Sequence, residues 1–223
     1  MKMENAKRKD IIIVTITFIY SLVILIFIGW VNGIAQNTPN MIVQNILFII
    51  AWWPMIIPTV IFMRRDKENC QDIGFSKEKV LFQTIAGFLV AAGSLSIFIV
   101  LPALFGIQMG YVGEMSVLFV VIQMINMLLA VALIEEIIFR GHLLKKLNDI
   151  TGSKWTAIII SSVLFGLFHI FNWSIIQIIF TTLIGFFYCV CRDKIKHCTL
   201  LSLIIAHALH NSLLPIITAL FFG

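Results

Sequence analysis

The chain has 223 residues, of which 60% are hydrophobic and only 12% charged, with a mean hydropathy of +1.03 and a formal net charge of +5. A soluble domain carries roughly 25% charged residues, so this chain cannot cover a water-facing surface and reads as an all-α polytopic membrane protein. The positive charge does not point to nucleic acid, because the basic residues form no face with interleaved aromatics outside short loops.

Seven apolar segments follow in chain order, at about 11–34, 41–63, 81–106, 115–139, 155–172, 173–191 and 199–222. About 20 helical residues cross a hydrocarbon layer of ~30 Å. Helices satisfy their own backbone hydrogen bonds in lipid. The alternating strands of a barrel are absent from the pattern. Only "FNW", Phe171 to Trp173, divides the fifth and sixth segments. No repeat or long linker is visible, so residues 1–223 read as one transmembrane domain. The first apolar run is too long for a signal peptide and is read as a retained span.

All 16 Lys and Arg fall on one set of connections. They precede the first segment, lie between the second and third (Arg64, Arg65, Lys67, Lys77, Lys79), between the fourth and fifth (Arg140, Lys145, Lys146, Lys154) and between the sixth and seventh (Arg192, Lys194, Lys196). The positive-inside rule then predicts a cytoplasmic N-terminus and an outer C-terminus. In the one sizeable polar loop, 64–80, Gly74 is expected to make a turn and Ser76 to cap the next helix. Cys70, Cys189, Cys191 and Cys198 fall near the basic face, where thiols stay reduced. They read as small apolar residues rather than a metal site.

A few polar residues interrupt the apolar segments. Of the 11 acidic residues, only Glu135 and Glu136 lie inside one, and Glu114 marks an outer edge. His169 in "FGLFHIF" and His207, His210 and Asn211 in "IIAHALHNSLL" join them. Charged groups at membrane depth are expensive and mark functional candidates by default. Glu136 and Arg140 stand at i, i+4 with the acid first, the favourable order for a helical ion pair. That pair leaves Glu135, about 100° round the helix, unexplained. His207 and Asn211, also four apart, share a helix face, whereas His210 is not assigned by spacing.

A carboxylate, two imidazoles and an amide on three spans are the parts of a hydrolytic site. A carboxylate takes a proton from water, an imidazole shares that work, and an amide steadies an oxyanion. Glu135, His169 and His207 could instead hold zinc, leaving one position for water. The H-E-x-x-H spacing of soluble zinc proteases is absent. Depth is a partial fit. At 1.5 Å per residue His169 lies ~21 Å from Trp155, too far out unless the fifth span tilts or starts late.

"EEIIFRG" (Glu135 to Gly141), "FGLFH" (Phe165 to His169) and "HALHN" (His207 to Asn211) resemble the E-E-x-x-x-R, F-x-x-x-H and H-x-x-x-N motifs of the CPBP family, the CAAX proteases and bacteriocin-processing enzymes, over about residues 130–215. The resemblance implies an intramembrane protease acting from the cytoplasmic side. It would activate water through Glu135 and His169, hold the oxyanion with His207 and Asn211, and support the helix with Glu136 and Arg140. It favours a metal-free glutamate mechanism without cofactor, with zinc as the alternative. The expected partners are membrane lipid and a peptide or protein substrate, with no nucleic acid. The short chain looks like a bacterial cell-membrane member, for which a small membrane peptide is the expected substrate. A non-catalytic bacteriocin-immunity or partner-binding protein is the main competing reading, and a proton-coupled transporter a further one.

Overall fold

The computed structural model describes residues 2–112 and 116–223, so the outer edge assigned to Glu114 lies outside it. Seven helices are long and apolar enough to cross a membrane: α1 (Glu4–Gln36), α2 (Met41–Asp66), α3 (Val80–Leu104), α4 (Val117–Thr151), α5 (Lys154–Asn172), α6 (Ile175–Lys194) and α7 (Leu200–Phe222). No strand occurs among the described residues. The protein is an integral membrane protein built as a helical bundle. The α5–α6 break falls where the three residues "FNW" place it, in a single 3-10 turn at Ile170–Asn172 followed by Trp173 at φ 53°.

Two boundaries differ from the sequence expectation. The fourth helix continues past residue 139 to Thr151, because the polar run after it is itself amphipathic and ends on Gly152 in the left-handed conformation (φ 65°). Ser76 does not cap α3. Its hydroxyl accepts the N–H of Glu78 in a turn, and the helix starts at Val80 behind a left-handed Lys79. The Gln83 side chain holds this loop by donating to the carbonyls of Ser76 and Glu78. Gly74 does make its turn, at φ 103°. A Cβ there would lie 1.7 Å from Nη2 of Arg192, so only glycine fits.

With no hydrophobic force between helices in lipid, close packing requires small residues. At Gly87, where α3 meets α7, a Cβ would lie 2.9 Å from the Ser202 carbonyl. At Gly166, where α5 meets α6, it would lie 1.9 Å from Thr182 Oγ1. One core joins α1, α2, α4 and α5 through residues such as Ile28, Met55, Ile134, Phe139 and Phe168. A second joins α3, α6 and α7 around Val90, Tyr188 and Leu203. Large apolar side chains such as Ile26, Ile42 and Leu89 point outward, as a lipid-facing surface requires.

At the basic end a charge network ties α1, α2 and α4 together. Lys146 Nζ reaches Asp66 Oδ2 (2.7 Å) and Glu68 Oε1 (2.8 Å), Lys145 reaches Glu68 (2.7 Å), and Lys9 reaches Asp66 (2.5 Å). Burial pushes the Glu68 carboxyl up, but hydrogen bonds from Lys145 and Lys146 outweigh it and hold the group below its ordinary 4.5.

Candidate active site

The site is centred on α4, whose geometry is irregular around it. Met127–Ala132 and Ile137–Leu143 are π-helical, and they bracket Glu135 and Glu136. Such widened turns are rare and often mark functional sites. Neighbouring helices bond to the carbonyls of the second one. Ser161 of α5 donates to the Phe139 carbonyl (2.8 Å), and Arg192 of α6 donates to that of Arg140. Arg192 also donates to the Ile73 carbonyl (3.2 Å), which pins the 66–80 loop to the same point.

These clips set the register. With Ser161 bonded to Phe139, the antiparallel run of α5 brings Phe165 level with Glu135 and His169 about one turn beyond. The apparent excess depth of His169 disappears because α4 runs on past Lys146 before the chain turns back.

Glu136 lies at the centre of the polar cluster. Its Oε1 accepts from Arg140 Nη1 at 3.0 Å and from His207 Nδ1 at 2.8 Å, and all three residues are buried. His207 turns its other nitrogen, Nε2, toward Glu135 Oε2 at 3.7 Å. One imidazole of α7 therefore stands astride both carboxylates of α4. Glu135 itself is 2% exposed, and its Oε2 is sealed without a hydrogen-bond partner. The Arg140 guanidinium lies flat over the Phe165 ring, 3.7 Å from its centroid. Gly185 of α6 leaves it room, since a Cβ there would come within 3.2 Å of Nη2.

Phe165 also separates the two histidines, with its ring centroid 5.1 Å from that of His169 and 6.0 Å from that of His207. His169 Nδ1 lies 2.9 Å from the Phe165 carbonyl. A carbonyl only accepts, so Nδ1 carries the proton and Nε2 of the neutral ring is an acceptor. His210, unassigned by spacing, places Nδ1 3.0 Å from Ser94 Oγ. Ser94 donates its own proton to the Ala91 carbonyl (2.9 Å), which likewise leaves Nε2 of His210 as the free acceptor.

A cavity of about 600 Å³ is lined by His169, His207, His210, Asn211 and Phe165, and among the described residues no Asp, Glu, Lys or Arg lines it. No hydrogen bond to the Asn211 amide is formed among the described residues, so that group is free to serve a ligand. Glu135 lies beyond His207, outside the lining. His169, His207 and Asn211 thus share the cavity wall, and Glu135, Glu136 and Arg140 lie behind it, joined to it through His207.

The sequence reading expected the site to work from the cytoplasmic side. The cavity runs from His207 toward the 105–112 loop and Ser174, which lie at the end of the bundle opposite the basic connections. Gly110 folds this loop down onto α7, where a Cβ would lie 2.1 Å from Leu214 Cδ2. Ser161 and Arg192 tie α5 and α6 to α4 near its basic half, and Phe165 and Phe168 of α5 pack on Phe139.

The zinc alternative also meets a geometric test. Among the described residues no three His, Cys, Asp or Glu side chains form a metal-holding group. His207 directs both nitrogens at carboxylates, and His169 has one nitrogen engaged by a carbonyl. The donor set does not fit tetrahedral zinc, and no step is routed through a metal below.

Compared with known proteins, residues 116–213 match the family model described as Type II CAAX prenyl endopeptidase Rce1-like. That match contains all three motifs. The match spans 98 of the 223 residues and agrees with the CPBP resemblance carried by the three motifs. It supports an intramembrane endopeptidase in general. No curated protein and no solved structure matches the chain significantly. Within the CPBP frame, sequence reasoning missed three features. These are the bond from His207 to Glu136, the Ser94–His210 pair and the Arg192 clamp. The first two join residues on different helices, which spacing along one helix does not reveal. Arg192 was read only as a topology signal, although its place six residues inside the last polar turn before Cys198 put it at a helix end.

Proposed function

We propose that the protein hydrolyses a peptide bond in a small membrane-associated peptide or protein by a metal-free glutamate mechanism. Glu135 takes the proton of a water as the water attacks the scissile carbonyl carbon. His169 orients that water through Nε2. Asn211 and His207, whose Nε2 is turned toward Glu135, hold the oxyanion. Glu136 fixes the His207 ring through Nδ1–H, and Arg140 fixes Glu136 by donating to its Oε1. Collapse of the tetrahedral intermediate breaks the C–N bond and returns the proton from Glu135 to the leaving amine. The observation that carries this reading is the His207 imidazole held between Glu135 and Glu136 in the wall of the cavity that His169 and Asn211 also line.

The uncharged lining suits an apolar substrate segment. We place the basic end in the cytoplasm from the loop charges, so the mouth faces the opposite side of a bacterial cell membrane or the lipid beside it. The whole chain acts as one domain, with no cofactor. The test is proteolysis by purified protein, wild type against Glu135→Gln, with and without a chelator. The wild type is expected to cleave, the chelator to change nothing, and the variant to lose ~10²–10⁴-fold in rate. Loss of activity on chelation with recovery on adding zinc would replace the glutamate mechanism by the metal one. No difference between wild type and variant would favour the partner-binding reading.

A further inference from the structure

A second depression, of about 280 Å³, opens beside the catalytic cavity between α1, α2 and the start of α4. It shares Gln123 and Met127 with that cavity, so the two are separated by one helix edge. Six of its lining residues carry amides: Asn32 and Gln36 one turn apart on α1, Gln44 and Asn45 on α2, and Gln123 and Asn126 on α4. No charged side chain lines it.

Helix packing accounts for only part of this set. Asn126 Nδ2 donates to Asn45 Oδ1 (2.5 Å), Asn45 Nδ2 to the Met41 carbonyl (2.7 Å) and Gln44 Nε2 to the Thr38 carbonyl (2.6 Å). Asn32, Gln36 and Gln123 form no side-chain hydrogen bond among the described residues. Asn126 is 7% exposed, and its Oδ1 is buried without a partner. A buried, unpartnered amide oxygen is costly when idle, so Asn126 Oδ1 and the unused amides beside it call for a ligand.

A peptide in extended form brings one N–H and one C=O per residue, and at membrane depth each must be satisfied. A primary amide offers a donor and an acceptor side by side without charge. We infer that this amide-lined groove binds an extended stretch of substrate backbone that continues from the catalytic cavity past Gln123. The inference rests on the peptidase reading for its substrate, but the groove's binding is measurable without turnover. Specificity here would be for uncharged, unfolded backbone rather than for particular side chains.

The experiment uses the full-length Glu135→Gln protein in detergent and two fluorescein-labelled, capped peptides of alternating Leu and Ala, one of six and one of fourteen residues. At ~3.3–3.6 Å per extended residue the longer spans ~46–50 Å and can occupy both depressions along their length, whereas the shorter, at ~20–22 Å, has few residues left for the amide groove once it fills the cavity. Anisotropy is expected to give ~10-fold tighter binding of the long peptide, the gain of one or two net hydrogen bonds. Adding Asn32→Leu and Gln36→Leu should remove that gain and leave the short peptide unchanged. Replacing the pair by Asn32→Gln and Gln36→Asn, which keeps both amides, should restore it, so a folding defect is separable from a lost contact. Equal binding of the two peptides, no binding of either, or a long-to-short ratio that the leucine variants do not move would overturn the inference. The peptidase reading fails separately, if wild-type protein cleaves no faster than Glu135→Gln.

Discussion

The two adjacent glutamates are expected to behave in opposite ways when each is replaced. Glu136 Oε1 accepts two hydrogen bonds from buried donors, Arg140 Nη1 at 3.0 Å and His207 Nδ1 at 2.8 Å. Glu136→Ala leaves a guanidinium that is 1% exposed with no counter-charge. Breaking one side of a buried pair costs about 3–5 kcal/mol. At about 2–4 °C per kcal/mol for a chain of this size, that is a fall of ~6–20 °C in melting temperature. Glu136→Gln keeps an acceptor for His207 but loses the charge, so it should fall between wild type and alanine. Glu135, by contrast, makes no side-chain hydrogen bond among the described residues, and its carboxylate is buried at 2% exposure. Glu135→Gln therefore should leave the melting temperature unchanged or raise it, while turnover drops by ~10²–10⁴-fold. The assay is paired: turnover on one peptide substrate, and melting in one detergent, for all three variants. Equal catalytic loss with unchanged melting in both glutamine variants would refute the division between a reacting and a positioning carboxylate.

Asn211→Ala should lower turnover by ~10²–10³-fold, as removal of an oxyanion donor does elsewhere, with no change in metal content by elemental analysis. Gly166→Ala puts a Cβ 2.7 Å from the Ile178 carbonyl and 1.9 Å from Thr182 Oγ1. Forcing α5 from α6 should cost about 1–3 kcal/mol, read as a lower melting temperature, and should weaken activity as Phe165 and His169 shift. Orientation can be read from native cysteines, since Cys70 at the basic end is exposed and the other three are buried. In sealed right-side-out vesicles an impermeant maleimide should miss Cys70 and label an introduced Tyr111→Cys, and the reverse pattern would place the cavity mouth in the cytoplasm. The lowered Glu68 group contributes stability that is fully present above its ordinary value of 4.5 and lost as pH falls through its folded value. Melting of the wild type should therefore drop below pH 4.5, and Glu68→Gln should flatten that drop.

Spans and motif residues were legible in the sequence because each rests on a local rule. Length and hydropathy specify seven helices, and the Glu136–Arg140 spacing specifies an ion pair, which forms. Relations between helices were less legible. His207 and Asn211 could be assigned to one face of α7, but nothing along α7 tells that His207 meets both carboxylates of α4. The 100° step between Glu135 and Glu136 suggests divergent roles, yet His207 spans the step with its two nitrogens. The depth of His169 was misjudged because distances were counted from Trp155 at 1.5 Å per residue, whereas Ser161 and Phe139 set the register.

The widened turns of α4 connect these points. A regular helix would use the carbonyls of Phe139 and Arg140 in its own ladder. In the π-helical stretch they accept additionally from Ser161 and Arg192, so two neighbouring helices are fastened to the residues just after the glutamates. That fastening holds Phe165 under the Arg140 guanidinium and His169 beside Phe165. One local departure from α-helical geometry thus orders the polar cluster. It follows that Ser161→Ala, which touches none of the reacting groups, should lower kcat through misplacement of His169 while leaving the Glu136–Arg140 pair and most of the thermal stability in place. An unchanged kcat in that variant would mean that the α4–α5 clip does not set the site.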